Sequence, residues 1–120
     1  MLKIPEKVPE RGFYYHYKHD PNGPVENYAY EVVAIGFHTE DDCRPGEEHF
    51  MIYRPLYESA SVYKTMQQMG FPAADARPLS MWMEDVTKDG KTFPRFQKIS
   101  DPEVIAQLKS IREKMYGSEE

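Results

Sequence analysis

The chain has 120 residues, 40% of them hydrophobic and 29% charged, with seven glycines and ten prolines. That composition excludes collagen, coiled-coil and disordered classes and leaves one ordinary globular domain, which should bury roughly two thirds of its unfolded surface. Fifteen Lys and Arg against twenty Asp and Glu give a net charge of −5, which disfavours non-specific attraction to nucleic acid or to a membrane surface.

The opening Met1-Leu2-Lys3-Ile4-Pro5-Glu6 lacks the apolar stretch of a signal peptide, and residues 1–11 are expected as an extended arm. From Gly12 the text changes. Phe13-Tyr14-Tyr15-His16-Tyr17-Lys18 is aromatic and strand-like, and His19-Asp20-Pro21-Asn22-Gly23-Pro24 breaks it with turn residues. Residues 28–38 form the longest β-type run, apolar on both parities in the middle and so covered on both faces there, with Gly36 marking a bulge or bend. The apolar run within it, residues 32–37, is far below the ~20 residues that span a bilayer. With a single cysteine, Cys43, no internal disulfide is available, and the expected location is the cytoplasm.

Residues 39–48 are polar, contain Pro45-Gly46, and read as a long hairpin loop leading into a strand over residues 50–57, which Pro55 ends or confines to an edge. Residues 59–69 place Val62, Met66 and Met69 at i, i+4 and i+7 after serines able to cap, with Gly70 able to end a short helix. Two more strands are expected over residues 80–86 and 92–98. The Asp89-Gly90 pair between them can supply the positive φ values of a tight hairpin. A final helix is marked by Asp101 as N-cap, Pro102 at its first position and Glu103 in its first turn. Val104, Leu108, Ile111 and Met115 form its apolar stripe, and Gly117 its exit.

Five short strands with two helices predict a mainly β domain, a small bent antiparallel barrel or roll. Residues 12–99 form it, with a helical insertion at about residues 59–70, and residues 101–117 pack on the same domain. There is no internal repeat.

Several strings taken in order carry a family resemblance: Tyr15-His16-Tyr17-Lys18, Tyr30-Glu31-Val32, His38-Thr39-Glu40, the run from Val33 into Tyr53-Arg54-Pro55-Leu56-Tyr57, Arg77-Pro78-Leu79-Ser80-Met81-Trp82, and Asp89-Gly90-Lys91 with Pro94-Arg95-Phe96. Over roughly residues 12–99 the chain resembles the bacterial family numbered 1653 among the domains of unknown function. The resemblance implies a small barrel of the Src-homology-3 type and no established activity. The chain departs from the family pattern in an enlarged acidic loop near Asp41 and Asp42, in the helix-like insertion between Tyr57-Glu58 and Arg77-Pro78, and in the appended helix after Asp101.

His16 and His19 form H-x-x-H, but on a strand i and i+3 point to opposite faces. His38, His49 and Cys43 bracket one loop without a zinc spacing, and Glu40, Asp41 and Asp42 lack the spacing of a calcium loop. No metal and no cofactor is therefore expected. The acidic surroundings of Cys43 should raise rather than lower its thiol pKa.

Arg54 shares parity with Phe50, Ile52 and Leu56, so it must find a partner. The partner is either a carboxylate such as Glu31, Glu40 or Glu84, or a ligand carboxylate or phosphate held with Arg77, Arg95 and His38 at the barrel mouth. Nine tyrosines, six phenylalanines and Trp82 fill a thin barrel or, at Tyr15, Tyr17, Tyr53 and Tyr57, form a stacking or cation-binding wall.

No nucleophile elbow, phosphate loop, dinucleotide fingerprint or zinc-protease motif is present. The favoured expectation is a non-catalytic binding module. It would hold a small polar ligand or peptide through Arg54, Arg95, His38, Glu40, Tyr17, Tyr57 and Arg77. Two alternatives stand: a small hydrolytic or transfer enzyme using His38 and Glu40, placed on one face by their i, i+2 spacing, and single-stranded nucleic-acid binding through surface tyrosines.

Overall fold

A computed structural model describes residues 4–40, 42–44 and 46–117; the expectations for Met1 to Lys3, Asp41 and Pro45 lie outside them. Strands β1 (Gly12–His16), β2 (Ala29–Phe37) and β3 (His49–Pro55) form where the aromatic and β-branched runs stand. Helix α1 (Ser61–Met69) follows, then β4 (Asp75–Pro78), the single-turn α2 (Leu79–Trp82), β5 (Asp85–Lys88), β6 (Lys91–Pro94), β7 (Phe96–Lys98) and α3 (Pro102–Tyr116). The protein is mainly β. An antiparallel five-stranded sheet runs in the order β4-β3-β2-β1-β7, and β5 and β6 make a separate hairpin. No pairing joins β4 to β7 among the described residues, so of the barrel or roll expected no closed barrel is seen.

Several local expectations need correction. The bulge in β2 falls between Val32 and Ala34, not at Gly36. Gly36 instead permits close packing, since a Cβ there would lie 3.2 Å from Cδ1 of Ile52 on the neighbouring strand. The serines do not cap α1, whose N-cap is Ala60 with no side-chain bond, whereas Gly70 does end it in the left-handed region at φ 74°. The strand expected over residues 80–86 is largely absent. Residues 79–82 coil into α2 so that Trp82, 3% exposed, can stack on Phe96 at 3.7 Å, leaving Met81 and Met83 in solvent.

The strand expected over residues 92–98 is in fact two. Pro94 offers no N–H, Arg95 donates its N–H to the Glu84 carbonyl at 3.1 Å, and the chain leaves the hairpin to add Phe96 to the main sheet beside β1. Asp89 and Gly90 have φ 53° and 76°, the two positive values that the hairpin between β5 and β6 requires.

The sheet has two faces. Tyr14, Val32, Met51, Tyr53 and Phe96 pack on one, with Trp82 of α2. Phe13, Ala29, Leu56 and Ile99 pack on the other, where α3 lays Leu108, Val104 and Ile111. Asp101 caps α3 by accepting the Glu103 N–H at 2.9 Å, as its sequence predicts.

The helix is also held electrostatically. Glu31, 5% exposed on the α3 side of β2, accepts from Arg54 Nε at 2.9 Å and from Arg112 of α3 at 2.8 Å. Arg54 lies over the Tyr116 ring at 4.4 Å, and the Tyr116 hydroxyl donates to the Pro55 carbonyl at 2.6 Å. No helix among the described residues is long and apolar enough to cross a membrane.

Removing the shared carboxylate would leave two largely buried guanidinium groups facing each other. Glu31→Ala is expected to lower the unfolding free energy by about 3 kcal/mol, measured by urea denaturation. Arg112→Leu, which leaves the Glu31–Arg54 pair in place, should cost clearly less; equal losses would contradict this division of roles.

Candidate functional site

The face of the sheet away from α3 gathers the chemistry. Two-residue periodicity places His16 of β1, Tyr30 of β2, Tyr53 of β3, and Asp75 and Arg77 of β4 toward the same side as Trp82 and Phe96. The rings form a continuous floor. Phe96 meets His16 edge-on at 5.1 Å, Tyr30 at 6.0 Å and Tyr53 at 6.0 Å, while Tyr53 leans on Trp82 at 4.8 Å. Tyr57, just beyond β3, joins its hydroxyl to that of Tyr30 at 2.5 Å. Tyr28, at the entrance to β2, stacks on His16 at 5.7 Å.

Arg77 lies over Phe96, its guanidinium carbon 5.5 Å from the ring centre, and its Nε donates a long 3.4 Å bond to the Tyr53 hydroxyl. Its other nitrogens have no hydrogen bond or ion pair among the described residues. Arg95 pairs with Glu84 at 3.5 Å, and its Nε is buried without a hydrogen-bond partner among the described residues. Burial, together with Arg77, Lys18 and Arg95, holds the His16 imidazole down to about pKa 4, so the ring is neutral near pH 7. Its Nδ1 accepts the Lys18 N–H at 3.2 Å, which leaves the proton on Nε2 as a donor.

Burial raises the Asp75 pKa against the pull of Arg77. Burial also raises the Tyr30 phenol, reinforced by the bond to Tyr57, and raises Tyr57 itself, so both stay protonated. The assembly is a set of donors on an aromatic floor with one desolvated carboxylate beside it.

Of the seven residues expected to converge, four border this face. Arg77 and Arg95 lie within electrostatic reach of His16, Tyr57 bonds Tyr30, and the Tyr17 N–H bonds the Arg95 carbonyl at 2.9 Å. The other three lie elsewhere. Arg54 is on the α3 side, paired with Glu31 as one of its two expected roles required. His38 and Glu40 stand beyond the end of β2, so the strand spacing meant to align them does not apply; the Glu40 N–H bonds His38 Nδ1 at 3.1 Å, and His38 stacks on Phe50 at 5.8 Å.

His16 and His19 do point apart. His19 stacks on Tyr15 at 3.5 Å and its Nδ1 bonds the Asn27 carbonyl. No group of three or more metal-ligating side chains occurs among the described residues. Burial, then Glu48 and Asp42, raises the Cys43 thiol pKa. The sequence reading missed Tyr30, Asp75 and Tyr28. Parity on β2 could have found Tyr30, but β4 carries no alternation to reveal Asp75.

An open antiparallel sheet has one face sealed by a helix, and on the other a buried aromatic cluster is edged by partly exposed tyrosine, arginine, aspartate and neutral histidine side chains; together they define a small mainly β domain with a polar rim around an aromatic core. The chain belongs to the family described as Protein of unknown function (DUF1653), whose model matches residues 12–98. A crystal structure of a DUF1653 protein from Bordetella bronchiseptica is similar in fold. It is 24% identical and has a TM-score of 0.51, with 75% of this chain and 86% of that chain covered. No curated protein matches this chain.

His16 and Asp75 act in opposite senses on stability. Unfolding returns His16 to about pH 6.5, so the unfolded chain binds the extra proton. The contribution of His16 is complete above that pH and is lost as pH falls toward 4. Asp75, raised in the fold, favours the native state when protonated and costs stability once ionised. Asp75→Asn is therefore expected to raise the melting temperature at pH 7. In that background, His16→Gln should flatten the loss of stability between pH 6.5 and 4, as read by thermal melts across the range; an unchanged slope would remove His16 as its source.

Proposed function

We propose that this protein is a non-catalytic binding module that holds a small polar ligand on the aromatic face, with Arg77 as the anion contact. The observation that carries the reading is the guanidinium of Arg77, placed over Phe96 with its terminal nitrogens unclaimed by described residues. A planar fork of donors in that state suits a carboxylate or phosphate. His16 adds a neutral N–H donor whose pKa a bound anion would raise.

Asp75 lies two residues from Arg77 on the same face of β4, about 6.6 Å along the strand, and its desolvated carboxylate would repel a bare anion. A ligand with a hydroxyl or amine donor beside its anionic group meets both requirements. The finer fold reading belongs here as well. The last strand of the sheet pairs back on the first while the others run as a meander, an order that supports an open variant of the Src-homology-3 roll. The lone thiol supports a cytoplasmic setting.

The enzymatic alternative draws no support from His38, whose Nδ1 is occupied by a backbone N–H. Nucleic-acid binding gains none from a net charge of −5.

The test is a titration followed by amide and imidazole resonances. Glycolate is expected to bind more tightly than acetate and to raise the His16 pKa. Arg77→Ala should weaken both about tenfold or more, in line with losing one charged hydrogen-bond partner, with little change in melting temperature. Asp75→Ala should erase the preference for glycolate. Anion shifts that persist unchanged in Arg77→Ala, or that appear only around Arg54, would overturn the reading.

A further inference from the structure

A second site of opposite character opens where the loop over residues 20–28 meets the chain beyond β3. Pro24, Glu26, Asn27, Tyr28, Tyr57 and Ser59 line a cavity of about 320 Å³. Its walls are two phenol rings and its charge is one carboxylate. Glu26 is half-buried and makes no hydrogen bond or ion pair through its carboxylate among the described residues. Lys114 of α3 is the nearby cation, lining the adjoining cavity of about 240 Å³ with Glu26, Tyr57 and Glu58, without pairing to Glu26. The field of Glu26 is felt at the neighbouring Tyr15 phenol, whose pKa it raises behind the effect of burial.

The loop is built to hold Tyr28 in place. Asn27 fastens it through Oδ1, which accepts the Asp20 N–H at 2.8 Å, and through Nδ2, which donates to the carbonyls of Asp20 and Pro24. Tyr15 donates to the Val25 carbonyl at 2.6 Å, and His16 N–H bonds the Tyr28 carbonyl at 3.0 Å. Within that frame Tyr28 takes φ 53°, a left-handed conformation that a bulky side chain rarely adopts. The residue is nevertheless 41% exposed, so burial does not explain the conformation. The result is a phenol presented at the cavity mouth, with His16 against its ring and Tyr57 held across the cavity by the bond to Tyr30. Strained backbone that displays a side chain at a cavity is a mark of a binding position.

We infer that this cavity binds an organic cation, an alkylated ammonium group seated between the rings of Tyr28 and Tyr57 and neutralised by Glu26. Aromatic faces attract such a cation through their quadrupole, and a weakly hydrated quaternary head loses little on leaving water. The carboxylate adds charge selectivity that a purely apolar slot would lack. The site does not use Arg77, although its two rings border the anion face, Tyr28 through His16 and Tyr57 through Tyr30.

The experiment titrates the full chain with choline and, separately, with 3,3-dimethylbutan-1-ol, its uncharged isostere, and follows backbone amide shifts. Saturable shifts confined to residues 24–28 and 57–59 are expected with choline, at least tenfold stronger than with the alcohol. Glu26→Gln should weaken choline about tenfold and Tyr28→Ala abolish saturation, whereas Tyr28→Phe keeps the ring face and should retain binding, which guards against reading a folding defect as lost recognition. Arg77→Ala should leave choline binding intact. Equal affinity for choline and the alcohol, no saturation at millimolar choline, or an unchanged affinity in Glu26→Gln overturns the inference.

Discussion

The buried carboxylate of Glu31 is the constraint on which the arrangement turns. It sits on the central strand β2 and is shared by Arg54 from the neighbouring strand and Arg112 from α3, each within 2.8 Å. Apolar burial alone would press α3 onto the sheet, but its stripe of Val104, Leu108 and Ile111 could slide along that surface with little penalty. One acid between two guanidinium groups has directional bonds and tolerates no such slip. A buried ion pair adds little net stability against a well-packed apolar replacement, so its value here lies in fixing orientation. Tyr116 extends the lock by lying against Arg54 and bonding the backbone of Pro55.

With one face committed in that way, the other is free to differ. Its floor consists of aromatic rings in edge and stacked contacts, the tightest being Trp82 on Phe96 with an interplanar angle of 3°. Rings of this kind lose little conformational freedom on packing and present phenol hydroxyls at their rims. Burial keeps the phenols of Tyr30 and Tyr57 protonated, so they offer both donor and acceptor at any ordinary pH. The same burial denies charge to His16 and penalises it at Asp75. Arg77 keeps its charge without difficulty, because a guanidinium is not deprotonated in a protein.

Much of this was legible before any coordinates. The three long strands, the Asp-Gly hairpin and the C-terminal helix follow from side-chain spacing and turn chemistry that tertiary contacts do not override. What failed was short or shared. Asp75-Ala76-Arg77-Pro78 has too few residues to show alternation, and it is a strand because β3 offers it an edge. Ser80-Met81-Trp82-Met83 is mostly apolar but coils into a turn, since one buried tryptophan outweighs the weak strand preference of its neighbours. The run at residues 92–98 divides at Arg95 because two different sheets compete for it.

The site was half legible for a related reason, which the two Arg-Pro dipeptides make plain. Arg54-Pro55 ends β3 and Arg77-Pro78 ends β4, and in both the proline favours extended backbone at the arginine before it. Locally they are alike, and by residue type alone Arg54, flanked by apolar strand residues, looks the more suspicious of the two. Their fates are set by what arrives from elsewhere. Strand register puts Glu31 directly across from Arg54, while Arg77 stands across from Met51 and meets only a tyrosine hydroxyl and the face of Phe96. Pairing of that kind depends on the alignment of residues more than twenty positions apart, and a one-residue slip in register would exchange the faces. The arginine that is expensive to bury is therefore neutralised, and the arginine left with donors to spare is the partly exposed one at the edge of the aromatic cluster.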